Sequence, residues 1–118
     1  MEYNMEYTPF LTGSRKYGGS SSNSDIDIVM IDSDAEKLRM VLLDIGIKIK
    51  DNSDINSPDY KSYYICLPNC PEVNIVVLPP KEYNAWKYAT EAMCEKPSIL
   101  DKKKRIERFK AFKKEYLD

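Results

Sequence analysis

The chain has 118 residues, 42% of them hydrophobic and 31% charged, which suits one globular domain with an ordinary core and excludes a disordered or fibrous chain. Residues 1–59 carry 6 Lys/Arg against 11 Asp/Glu and residues 60–118 carry 12 against 8, so an acidic half suited to metal precedes a basic half suited to polyanions. There is no histidine, which removes Ser-His and Cys-His nucleophile pairs, imidazole acid–base chemistry and most zinc sites.

Taken in chain order, YTPFLTG reads as a short strand ending in a turn, and residues 14–17 as one helical turn. Gly18, Gly19 and SSSNS make a flexible connection to DIDIVMID, a strand of β-branched character. Ser33 with Glu36 predicts a capping box opening a helix to about Asp44, stopped by Gly46, with Leu38, Val41, Leu42 and Ile45 as its core-facing stripe. GIKIKD is a short alternating strand, and DNSDINSPD a polar loop. KSYYICL and EVNIVVL predict an antiparallel pair joined by PNCP. PPKEYNAWKYATEAMCEK predicts a helix with Tyr83, Trp86, Ala89 and Met93 on one side. Pro97 and Ser98 break it, and a last helix runs from about Ile99 to Tyr116 with Ile106, Phe109 and Tyr116 inward. This order predicts a single α/β (α+β) domain over residues 1–118, a mixed β-sheet covered by helices, with a basic C-terminal helix at about 99–116.

The chemistry gathers in FLTGSRKYGGSSSNSDIDIVMI, residues 10–31. Side chains at i and i+2 of a strand share a face, about 6.6 Å apart along the chain, so Asp25 and Asp27 project together. Adjacent carboxylates repel unless they share a hard cation, and Mg²⁺ takes oxygen ligands and bridges carboxylates to phosphates, with Mn²⁺ as the other occupant. Gly13 lets backbone approach a ligand, Ser14 adds a hydroxyl, and Arg15 and Lys16 add positive charge. A nucleoside triphosphate could lie with its tail on Gly13-Ser14 and its metal on Asp25 and Asp27, poised for attack of a hydroxyl on the α-phosphorus with pyrophosphate leaving.

An apolar residue, Gly-Ser, a spacer of about ten residues and Asp-x-Asp on a strand resembles the DNA polymerase beta-like nucleotidyltransferase superfamily; LTGSRKYGGSSSNSDIDIV has each element in order. The chain is similar in particular to small stand-alone domains of bacteriophage type, in which a strand leads into a helix containing Ala-Trp and Ala-Thr-Glu, as in NIVVLPPKEYNAWKYATEAM. The resemblance implies the minimal nucleotidyltransferase fold and transfer of a nucleoside monophosphate from an NTP to a hydroxyl of RNA, protein or a small molecule. It implies that Gly13 and Ser14 bind phosphate and that Asp25 and Asp27 ligate Mg²⁺. The family carries a third carboxylate on a later strand, and here the matching position is Asn74, whose amide offers an oxygen but neither charge nor a proton acceptor. Glu72, two residues earlier on the same face, is the alternative acid. The departure at Asn74 supports a second expectation, an inactive module of the same fold that binds nucleotide, nucleic acid or a protein.

Lys102, Lys103, Lys104, Arg105 and Arg108 suit nucleic-acid contact through phosphates, and equally the solvated face of an amphipathic helix. Tyr83 and Trp86, at helical spacing, read as core rather than as a stacking platform. The thiols Cys66, Cys70 and Cys94 have neither zinc-type nor thioredoxin-type spacing, which implies inert thiols in a reducing, cytoplasmic setting. No apolar run nears the roughly 18 residues of a membrane span and the N-terminus lacks signal-peptide features, so no membrane partner is expected.

Overall fold

A computed structural model of the protein describes residues 7–17, 25–51, 61–95 and 101–118. The serine-rich connection, the loop through Pro58 and the break at Pro97 and Ser98 lie outside the described residues, as do the side chains of Ser14, Tyr17 and Lys102. The elements are β1 (Phe10–Thr12), α1 (Ser14–Tyr17), β2 (Ile26–Ile31), α2 (Asp32–Asp44), β3 (Lys48–Asp51), β4 (Lys61–Cys66), β5 (Val73–Leu78), α3 (Pro80–Glu95) and α4 (Lys102–Leu117). The strands form one mixed sheet in the order β1-β2-β5-β4-β3, an α+β architecture in the predicted element order. Its centre is the parallel pair β2–β5, and β1, β4 and β3 add antiparallel neighbours outward. IDIVMI and VNIVVL are the two most continuously apolar strands, as expected of strands covered on both faces.

Alternation along these strands feeds two cores. On one face Val29, Val76 and Leu78 pack under α3 and α4, against Tyr83, Trp86, Ala89, Met93 and Phe109. The four inward residues predicted for α3 are all buried. On the other face Met30, Ile75 and Tyr63 meet Ala35 of α2, with Ile28, Leu38, Ile49, Ile65, Val73 and Val77 around them. Burying one such large side chain is worth about 1.5–3 kcal/mol.

Three local expectations are corrected. The capping box does not form: β2 runs directly into α2, extended Ile31 occupies the cap position without a side-chain bond, and Ser33 lies inside the first turn. There the Asp32 carboxylate accepts from the Ser33 amide at 2.8 Å. The stripe of α2 is also rotated. Ala35 is its buried residue and Leu38 and Leu42 are half-buried, whereas Val41 and Ile45 are 56% and 67% exposed. The small Ala35 lets the helix settle on the sheet through its first turns, and Ile45 is already past the helix end. Gly46 does stop the helix: its φ is +82°, its amide bonds Leu43 O and the next amide, Ile47, bonds Leu42 O, a Schellman motif. Finally, α4 begins at Lys102 rather than near Ile99, because Asp101 caps it by accepting from the Lys103 amide at 2.8 Å. Phe109 packs edge-on against Trp86 and Phe112 joins the core, while Ile106 and Tyr116 are each 46% exposed. Tyr116 instead leans on Tyr88, ring centroids 5.5 Å apart.

Tyr63 ties α2 to the sheet, its hydroxyl donating to the Ala35 carbonyl at 2.7 Å, and burial pushes its phenol up to about 12. Because the folded value lies above the unfolded one, this contribution is complete below about pH 10 and is lost as the pH rises toward about 12. Tyr63→Phe is expected to cost about 1 kcal/mol in urea melts at neutral pH. It should also remove the last phenolate to appear in an alkaline absorbance titration. An unchanged late phase would mean that another tyrosine is the protected one.

Candidate nucleotide and metal site

The site is built where β1 turns away from β2. Thr12 is paired with Asp27, and Asp27 in turn with Asn74 of β5, so the three stand side by side on the face that α3 covers farther along the strands. Gly13 follows at once with φ +74°, and its backbone is pressed against Asp27. A Cβ built on Gly13 would collide with Asp27 Oδ2 and lie 3.2 Å from Cγ, so no other residue fits this turn without displacing the carboxylate. The predicted turn and the predicted carboxylate are thus one packed unit.

Around it, the Thr12 and Thr90 hydroxyls share a buried hydrogen bond of 2.7 Å, which fixes the end of β1 to α3. The Lys16 amide donates to the Gly13 carbonyl at 2.9 Å, closing the single turn of α1, and Cys94 Sγ contacts the Lys16 carbonyl at 3.9 Å. Arg15 is half-buried and Lys16 exposed. Four residues make too short a helix for a macrodipole, so any anion here would meet local amides and side chains.

Asp25 stands one residue outside β2 and is exposed, while Asp27 is half-buried. Asn74 is 9% exposed; its amide donates from Nδ2 to Asp27 Oδ1 at 3.1 Å, and its buried Oδ1 has no hydrogen-bond partner among the described residues. An unpartnered buried carbonyl oxygen costs of order 1–3 kcal/mol, and it is the kind of ligand a hard cation takes. Glu72 lies one row farther out: the Ile26 amide bonds the Glu72 carbonyl at 2.9 Å, and the Glu72 carboxylate sits 4.0 Å from Cys66 Sγ, away from Asp27. Asn74, not Glu72, is therefore the neighbour of Asp27.

Two carboxylates and an amide oxygen suit Mg²⁺, which commonly completes its shell with water and substrate phosphates. They do not form an all-protein cage. Among the described residues no group of three His, Cys, Asp or Glu side chains is placed to hold a metal. Asn74, the position to which the resemblance pointed, does stand beside Asp27, and its amide bonds that carboxylate; sequence reasoning missed Thr90, which only packing of α3 against β1 brings to the site. Among the described residues no helix is long and apolar enough to cross a membrane, and Cys66, Cys70 and Cys94 are free thiols. No family model, curated protein or solved structure matches the chain.

Proposed function

We propose that the chain is a minimal Mg²⁺-dependent nucleotidyltransferase that transfers a nucleoside monophosphate from an NTP to an acceptor hydroxyl. The observation that carries this reading is the packing of the Gly13 turn against the Asp27 carboxylate, which sets the proposed phosphate-binding turn directly beside a proposed cation ligand. Asp25, Asp27 and the orphan Asn74 oxygen would hold Mg²⁺, whose chemistry is to neutralise the triphosphate and polarise its phosphorus. Gly13 and Ser14 would receive the phosphate tail, and Arg15 and Lys16 would offset its charge. The superfamily resemblance of residues 10–31 supports the same assignment.

A second reading is favoured by one specific observation. Asn74 spends its donor on Asp27 and cannot take a proton, and on this reading the site would bind a metal–nucleotide without transferring anything. Incubation with each α-labelled NTP, Mg²⁺ or Mn²⁺ and a mixed RNA and protein extract separates the two. Label transfer should occur with the native chain and fall more than about a hundredfold in Asp25→Ala plus Asp27→Ala. Transfer that persists in the double variant would remove the site from the reaction. Metal-dependent NTP binding without transfer would establish the second reading.

A further inference from the structure

One row of side chains crosses the whole sheet through the candidate site: Thr12, Asp27, Asn74, Tyr64 and Lys50, each paired with the next. The row beside it brings Cys66 level with Lys48. All of these share the face opposite α2, because their sequence neighbours Ile49, Tyr63, Ile65 and Ile75 belong to the core on the α2 side. The apolar core on the site face draws on β2 and β5 but on no residue of β3 or β4. Its cover ends along β4 itself, between buried Ser62 and half-buried Tyr64. Lys48 and Lys50 are exposed and have no ion-pair partner among the described residues.

The half of the sheet beside the carboxylates thus offers an aromatic ring about 9 Å across from Asp27, at two strand spacings, and two ammonium groups about 14 Å across, at three. A positively charged track with an aromatic platform is how proteins hold single strands without reading sequence. We propose that the β3–β4 half of the sheet binds a single-stranded polynucleotide, with Lys48 and Lys50 on its phosphates and Tyr64 against a base. The strand would lead its terminal hydroxyl toward Asp27, a role as acceptor that rests on the transferase reading above. The basic helix α4 carries more charge and is the rival surface. Continuity with Asp27 through a single row of paired residues favours β3–β4.

Fluorescence anisotropy with labelled oligo(U) and oligo(dT) of about twelve nucleotides tests this on the full chain, without NTP or divalent ion. The native chain should bind both through backbone and stacking, and RNA preference would mark the acceptor as RNA. Lys48→Glu plus Lys50→Glu should weaken binding at least about tenfold near 50 mM salt and flatten the log–log salt slope by about 1.4, the value for two single-strand phosphate contacts. Tyr64→Ala should weaken it about tenfold and Tyr64→Phe should restore it, with thermal melts confirming that each variant is folded. Binding insensitive to the β3 and β4 variants but lost in Lys103→Glu plus Lys104→Glu would overturn the assignment in favour of α4. Absence of binding by the native chain would overturn it outright, yet leave the NTP site to its own test. Failure of label transfer with β3-dependent binding intact would remove the transferase reading and keep the surface.

Discussion

Gly13→Ala is expected to destabilise the protein by about 2–4 kcal/mol and to abolish NTP binding, whereas Gly46→Ala should cost only about 1–2 kcal/mol and leave binding intact. Both glycines occupy the left-handed region, at φ +74° and +82°, so the conformational penalty is common to them. The surroundings differ. A Cβ at Gly46 meets nothing within 4 Å, while one at Gly13 is driven into the Asp27 carboxylate. Asp27 can yield only by leaving Asn74, its hydrogen-bond partner at 3.1 Å, which strands a buried amide donor. Thermal melts of the two variants check the difference, at roughly 4 °C per kcal/mol for a domain of this size. Equal melting temperatures would mean that the carboxylate moves aside freely. The turn and the aspartate would then not act as one unit.

The framework was legible because its signals are redundant. The apolar runs of β2 and β5 and the inward face of α3 at Tyr83, Trp86, Ala89 and Met93 rest on several residues each, so no single contact decides them. The misreadings each turned on one or two residues. Ser33 and Glu36 carry a capping pattern, but the β2–α2 junction has no loop in which Ser33 could stand outside the helix. Val41 and Ile45 fit a 3.6-residue period, but the depth of Ala35 sets which way α2 rolls on the sheet, and that is a tertiary property. The site divides in the same way. Gly13 and Asp27 announce themselves by residue type, because few other residues suit a tight turn and a cation. Thr90, Tyr64 and Lys50 are ordinary residues for a helix or strand, and only packing against β1 puts Thr90 at the site and only pairing across the sheet puts Tyr64 and Lys50 in the row of Asp27.

Asn74→Asp is the substitution that most sharply interrogates the site. The new carboxylate would be buried beside Asp27 and would replace the present donor with a second negative charge. Burial and like-charge repulsion both hold its folded pKa above the unfolded value, near 4 for an aspartate. A raised folded pKa means that stability is retained below the unfolded pKa and lost as the pH rises through the folded one. The variant should therefore approach the native chain in stability at about pH 4 and fall below it by about 2–4 kcal/mol at neutral pH. Mg²⁺ reverses the sign of the local interaction. At a hundredfold excess over its dissociation constant it should return about 2.7 kcal/mol to the variant, and less to the native chain, which offers one charge fewer. If transfer is limited by the lack of a proton acceptor beside Asp27, the variant should also raise label transfer by about 10²- to 10⁴-fold. A variant that gains neither stability nor activity with Mg²⁺ would show that Asp25, Asp27 and position 74 do not converge on a shared cation, and the metal–nucleotide reading would fall with it.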